Sequence, residues 1–136
     1  MELYIRELDE SDYNNILVAW WKQWGWEPPQ RDFLPDNGKG GIIVYDQDTP
    51  ICAGFMYITN SKVAWVDWII SNKEYTKKPH RKDAIKLLVS TLTGICKNTG
   101  SKYVYALIKS RNLIETYEQL GYIKGDRYTS EMIKLL

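Results

Sequence analysis

Three consecutive basic residues stand just before an amphipathic helix in the middle of this chain. His80, Arg81 and Lys82 follow a polar connection, and the sequence predicts that the helix begins near Ala84. The first N–H groups of a helix lack intrahelical partners and its dipole makes that end partly positive, so phosphates bind there. Basic side chains at this point would strengthen such a site. The alternative interpretation is a solvated basic turn.

A single carboxylate interrupts the apolar segment at residues 63–70. Asp67 lies there between Trp65 and Trp68. Removing a carboxylate from water is costly unless it is paired or hydrated, so its presence requires a reason. The reason is either structural, such as an ion pair with a basic side chain, or chemical.

Tryptophan is concentrated at residues 20–26, which contain four of the six in the chain. Indoles are the usual core of a small domain, and this is one interpretation of the segment. An indole also offers a flat face and one N–H donor. The second interpretation is therefore that Trp21, Trp24 and Trp26 wall a pocket for an acceptor molecule.

The composition is typical of one soluble globular domain over residues 1–136, with 44% hydrophobic and 26% charged residues. A formal net charge of +1 argues against bulk electrostatic binding to nucleic acid. One histidine and two distant cysteines, Cys52 and Cys96, indicate core thiols and no zinc site. No membrane-length apolar run or leader is visible, so we expect a cytoplasmic protein without a membrane partner.

The hydrophobic pattern predicts three sequential antiparallel strands with short turns, after an N-terminal strand and a helix that Ser11 or Asp12 would cap. The last of these strands, the helix from Ala84 and a strand at 102–108 form a parallel crossover unit. A helix at 113–120 follows. Residues 122–123 and 131–135 predict a closing hairpin.

Two segments carry a resemblance to a known family. At residues 113–122, Tyr117 on the last helix is followed four residues later by Gly121 and then by an aromatic residue. Residues 70–75 resemble the exit of the family's splayed strand. With the element order, these features resemble the GCN5-related N-acetyltransferases (GNAT). The resemblance implies an α+β fold: a mixed, mostly antiparallel sheet with helices on both faces and a central parallel β-α-β crossover.

The sequence departs from the family where the pyrophosphate of coenzyme A would bind. The family's glycine-rich Arg/Gln-x-x-Gly-x-Gly/Ala motif falls on residues 79–84, and only Ala84 fits it. Glycines let backbone amides approach phosphate closely, so the side chains here must hold it differently. Asp83 would cap the helix, while Arg81 and Lys82 would supply compensating charge.

The resemblance implies direct attack of an acceptor amine on the acetyl-CoA thioester, which requires a base and an acid. Tyr117 matches the family's acid for the leaving thiolate. Asp67 is our first candidate for the base, and Glu74 or a water relay is the alternative. A purely structural role for either residue is the alternative. The expected cofactor contacts are Ile69, Ile70, Ser71, His80, Arg81, Lys82, Asp83, Ala84, Asn112 and Tyr117.

The leading hypothesis is thus an N-acyltransferase acting on a small-molecule or peptide amine, with acetyl-CoA as co-substrate. One alternative is a GNAT-fold protein that has lost catalysis and binds a partner through its tryptophan surface. A GNAT-like nucleic-acid base modifier is disfavoured by the near-zero charge. The residues leave the oligomeric state open, although GNAT-like proteins often dimerise through sheet edges or the C-terminal strand.

Overall fold

The protein folds around one mixed sheet of five strands with helices against both faces. The structure, a computed structural model, describes residues 2–136. The strands are β1 (Leu3–Glu7), β2 (Gly41–Asp46), β3 (Thr49–Ile58), β4 (Val63–Ser71) and β5 (Tyr103–Tyr105). The helices are α1 (Val18–Gln23), α2 (Lys78–Asn98) and α3 (Arg111–Gln119); a π-helical turn (Tyr13–Leu17) runs into α1, and two short 3-10 turns (Arg31–Phe33, Pro35–Gly38) precede β2.

The strands lie in chain order across the sheet, β1-β2-β3-β4-β5. The first four pair antiparallel. Strands β2, β3 and β4 must do so, because the turns at 47–48 and 59–62 are too short for anything but hairpins. Strand β5 pairs parallel to β4, and the 21-residue helix α2 supplies the crossover. The predicted α+β architecture and its parallel crossover are therefore confirmed.

Each face of the sheet buries its own apolar core. On the face covered by α2 and α3, residues such as Val66 and Leu88 are fully buried. On the face covered by α1, Leu17 and Trp21 pack against Phe55 and Ile70. Strand β4 sends apolar side chains to both cores, which explains its nearly continuous apolar sequence.

Strand β4 contains a β-bulge beside Asp67. Phe55 of β3 pairs with Asp67 and Ala53 pairs with Ile70, so β4 has one more residue than β3 between these pairs. Trp68 takes up the extra residue with φ of 56°, a left-handed conformation that bulky residues rarely adopt. The bulge places Asp67 and Trp68 on the same face of the sheet.

The predicted start of α2 is wrong, whereas the first helical segment starts directly after Asp12, as predicted. Helix α2 begins at Lys78, with Pro79 in its first turn, so His80 to Asp83 are helical and Asp83 caps nothing. Proline suits the first turn of a helix, because its missing N–H would have had no partner there. Asp12 does not cap its helix either: its carboxylate accepts two hydrogen bonds from Arg6, at 2.7 and 2.8 Å, and is 3% exposed.

The C-terminal prediction is also wrong. No strand forms after α3, and residues 122–136 have no regular secondary structure. The apolar side chains of Met132 and Leu135 are 87% and 95% exposed, so the alternating pattern there has no buried face to fill. Among the described residues, no helix combines the length and the apolarity that a bilayer crossing requires.

Candidate active site at the splayed strands

Strands β4 and β5 separate after only three paired residues. The last pair is Trp65 with Tyr105, whereas β4 continues to Ser71 and the chain after Tyr105 leaves the sheet. The backbone edge of β4 beyond Trp65 therefore has no neighbouring strand. The splay predicted for this position is present.

Two side chains fill the opening of the splay from opposite faces. The Tyr117 hydroxyl of α3 donates a hydrogen bond of 2.8 Å to the carbonyl of Val66. On the other face, the Asp67 carboxylate accepts hydrogen bonds from the backbone N–H of Trp68 at 3.0 Å and of Leu107 at 3.2 Å. The two residues identified from the sequence as acid and base thus occupy adjacent positions along the β4 edge.

The environment of Asp67 favours its neutral form relative to an ordinary carboxyl. Desolvation by burial raises the pKa of Asp67, and the N–H groups of Leu107 and Trp68 oppose that rise. No ion pair to Asp67 forms within residues 2–136. The expected structural explanation, pairing with a basic side chain, is therefore wrong, and the carboxylate is left available as a proton acceptor.

Tyr117 is a buried phenol, 2% exposed. Burial is the main cause that raises its pKa above the ordinary value, and the negative charge of Asp67 adds to the effect. The phenol therefore stays protonated at neutral pH and can donate a hydrogen bond. Its ring packs edge-on against Tyr122 at 4.7 Å between centroids, so the residue also belongs to the core.

A cleft of about 580 Å³ opens from the splay toward the N-termini of α2 and α3. Six of the ten predicted cofactor contacts line it: Ile69, Ile70, Ser71, Arg81, Lys82 and Asn112. Lys78 and Lys82 bring positive charge to the same cleft, as does Arg81, and Glu115 is its acidic residue. A long anionic ligand could lie along it with its charge at the start of α2.

The other four predicted cofactor contacts lie elsewhere. Ala84 is fully buried in the core and offers no surface, and exposed Asp83 is absent from the cleft lining. His80 faces a second cleft between the β2–β3 turn and the loop after β4. Tyr117 is buried and absent from the cleft lining, although its neighbour Thr116 belongs to it. The helical start of α2 explains the positions of His80, Asp83 and Ala84, because a helix turns successive side chains to different sides.

Arg81 has a different task from the one that its charge predicts. Its guanidinium donates hydrogen bonds to the carbonyls of Asn72, Lys73 and Tyr75, which fixes the loop between β4 and α2. Its Nε is buried without a partner among the described residues. Arg81 thus shapes the cleft wall, while Lys78 and Lys82 are the exposed cations.

The three tryptophans predicted to wall an acceptor pocket divide between two roles. Trp21 is 1% exposed and belongs to the α1-face core, so a wall role for it is wrong. Trp24 and Trp26 do line the cleft, stacked at 6.1 Å, and the Trp24 Nε1–H donates to the Ser71 carbonyl. Asp67 does not line this cleft.

Sequence reasoning missed three residues that shape the site. Lys78 lies before the helix start predicted near Ala84, although a proline at the next position is a recognisable signal for the first turn of a helix. The N-cap of α3 is Ser110, whose Oγ accepts from the N–H of Leu113. The bulge at Trp68 had no local signal, because neither glycine nor asparagine marks it.

Within residues 2–136, no three His, Cys, Asp or Glu side chains cluster as a metal site requires.

Comparisons with solved structures show which fold this is. The match to glucosamine-6-phosphate N-acetyltransferase from Arabidopsis thaliana covers 98% of this chain and all of that enzyme, with a TM-score of 0.67 and 14% identity. The match to a protein of unknown function from methicillin-resistant Staphylococcus aureus, a probable acetyltransferase, covers 98% of this chain and all of that protein, with a TM-score of 0.69 and 18% identity. The match to AAC(6')-Iy, which was solved with a bisubstrate analogue that contains coenzyme A, covers 99% of this chain and all of that protein, with a TM-score of 0.69 and 14% identity.

These matches show that the chain has the GCN5-related N-acetyltransferase fold. No protein-family model matches the sequence, and no curated protein matches it. Most of the structural neighbours are named acetyltransferases or probable acetyltransferases, and one is named a transcriptional regulator; identities of 10–18% carry the fold and not the acceptor.

Proposed function

We propose that this protein is an acetyl-CoA-dependent N-acetyltransferase that acts on a primary amine. The observation that supports the proposal is the splay of β4 from β5, with Asp67 and Tyr117 beside it and a basic cleft leading away from it. The fold of the chain is shared with acetyltransferases, one of them solved with a coenzyme A analogue.

The chemistry is a direct transfer in which two groups handle the protons. Asp67 removes a proton from the ammonium of the acceptor, directly or through a water molecule, and the free amine attacks the thioester carbonyl carbon. The carbon–sulfur bond then breaks, the Tyr117 hydroxyl gives its proton to the departing sulfur, and the attacking nitrogen gives up its second proton, which restores the phenol; the amide, the coenzyme A thiol and a protonated Asp67 result. Because the pKa of Tyr117 is raised, its proton is present when the sulfur becomes negative.

The pyrophosphate of coenzyme A would lie at the start of α2 without the family's glycines. Lys78 and Lys82 supply the charge there, and the free backbone N–H groups of the first helical turn supply donors. These groups fit an anionic ligand.

The test is calorimetry with acetyl-CoA on the parent and on a Lys78→Ala/Lys82→Ala variant. Each lost hydrogen bond to a charged group is worth about 1.5–3 kcal/mol, so we expect binding weaker by at least about tenfold. Lys97→Ala is the matched control, since Lys97 is exposed in the last turn of the same helix. Arg81→Ala is unsuitable, because it would release the loop after β4.

A folded parent that does not bind acetyl-CoA at millimolar concentration would overturn the transferase proposal. Attention would then turn to a GNAT-fold binding module, with the exposed Trp26 on the surface that it would use. Equal affinity for the parent and the double variant would instead refute the placement of the pyrophosphate at α2.

A further inference from the structure

A row of aromatic rings crosses three strands next to Asp67. Tyr57 of β3 pairs with Trp65 of β4, which pairs in turn with Tyr105 of β5. Side chains at paired positions share a face, so the three rings lie side by side on the α1 face. Trp65 and Tyr105 are in contact, with 4.6 Å between ring centroids. We call these three residues the aromatic row.

The carboxylate of Asp67 stands at the edge of the aromatic row. Asp67 follows Trp65 by two residues along β4 and therefore points to the same face. Its charge contributes to a raised pKa of Tyr57, about 12, after the larger effect of burial. Helix α1 covers the next part of this face but leaves the row half-exposed, with Tyr105 at 40% and the neighbouring Leu107 at 54%.

The row presents ring surface rather than hydrogen-bonding groups. The Tyr57 hydroxyl donates to the carbonyl of Phe33 at 3.1 Å, and the Tyr105 hydroxyl is 3.3 Å from that of Tyr128. With both phenols engaged inside the protein, a polyhydroxylated ligand would find few partners here. Burial of an apolar ligand surface against the rings is favourable.

The charge pattern restricts the ligand further. Asp67 has no cationic partner within residues 2–136, and no lysine or arginine of that range lies over the three rings of the row. A carboxylate beside aromatic faces is suited to one ammonium group, which gains from the charge and from the ring quadrupoles. An anionic acceptor would meet no positive group on this row.

From these contacts we propose that the acceptor is a primary monoamine with an apolar, preferably aromatic, body. The amine nitrogen binds at Asp67, and the body lies over Trp65 and Tyr105. This inference rests on the proposed transferase function, since Asp67 is also the base of that reaction. It excludes polyamines and amino sugars as preferred acceptors, because the row offers neither several carboxylates nor free hydroxyl partners.

The test measures amine binding directly and without acetyl-CoA. Calorimetry compares phenethylamine with ethylamine, glucosamine and spermidine on the parent protein. We expect phenethylamine to bind about tenfold tighter than ethylamine, because its phenyl group buries apolar area. Trp65→Leu should weaken phenethylamine binding by roughly five- to tenfold and ethylamine binding by less, because ethylamine loses only the contact between its ammonium and the ring. Asp67→Asn should weaken both amines.

The control is Tyr4→Leu, which removes a 48%-exposed aromatic ring from the far edge strand β1 and should change no affinity. Circular dichroism confirms that each variant is folded. Tighter binding of spermidine or glucosamine, or equal binding of phenethylamine and ethylamine, would overturn the proposed acceptor class. Because acetyl-CoA is absent, either result leaves the transferase proposal to its own calorimetric test.

Discussion

Replacing Tyr117 by phenylalanine separates a catalytic hydroxyl from a structural one. The substitution keeps the ring in its contact with Tyr122 and removes the donor of the bond to the Val66 carbonyl. Val66 is fully buried, so its carbonyl loses a partner that water cannot readily replace. Such a loss costs roughly 1–3 kcal/mol, which for a chain of this length lowers Tm by roughly 3–6 °C per kcal/mol.

The expected effect on activity is much larger than the effect on folding. A domain with the usual 5–15 kcal/mol of stability stays folded at 25 °C after a loss of roughly this size. If the hydroxyl donates to the leaving sulfur, kcat should fall by roughly 10²- to 10⁴-fold. Steady-state release of coenzyme A with an accepted amine measures kcat, and thermal unfolding measures the stability of the same samples.

Tyr122→Phe is the matched control for this experiment. Tyr122 lies in the same cluster, and its hydroxyl shares a 2.6 Å hydrogen bond with Thr93. We expect a comparable loss of stability with kcat unchanged. A Tyr117→Phe protein that loses stability but keeps the kcat of the parent would refute the acid role and leave Tyr117 as a core residue.

Two further predictions concern the bulged strand and its neighbour. Gly54→Ala should destabilise the fold by about 1–3 kcal/mol in urea unfolding, because the added Cβ would lie 2.5 Å from the Ile69 Cδ1 and 3.2 Å from the Leu92 Cδ1; unchanged stability would show that the side chains under α2 can shift at little cost. Asp67 must be ionised to accept a proton and its pKa is raised, so kcat/KM should fall with decreasing pH at a higher pH than for an ordinary carboxyl. The pH profile of Asp67→Asn should lack this acidic limb, and an identical limb in that variant would assign it to another group.

The strands could be predicted from the sequence because their signals are local. Alternation at residues 3–7 and the short polar turns around β3 fix both the strands and their antiparallel pairing. The start of α2 could not be read in the same way, since its first turn holds polar residues and a proline. A search for apolar periodicity finds no helix before Ala84.

The site was only partly predictable, because residue type does not fix burial. Trp21 and Trp24 are three residues apart on one short helix and its cap, yet the first is in the core and the second lines the cleft. Asp67 was identified because a carboxylate in an apolar strand is conspicuous. The structural role of Arg81 could not be predicted, because its partners are three backbone carbonyls of a loop, and no residue type indicates where a loop places its carbonyls.

The extra residue at Trp68 has a consequence for the whole of β4, because a strand carries a parity: odd and even positions face opposite sides. Before the bulge, the face shared with α1 takes Trp65 and Asp67; after it, the same face takes Ile70, which regular alternation would have turned toward α2. The bulge therefore inverts the parity midway. One strand can therefore place Asp67 at the candidate site and, three residues later, bury Ile70 in the α1-face core. Deleting Trp68 would turn the residues after it to the opposite face, whereas replacing its side chain would not.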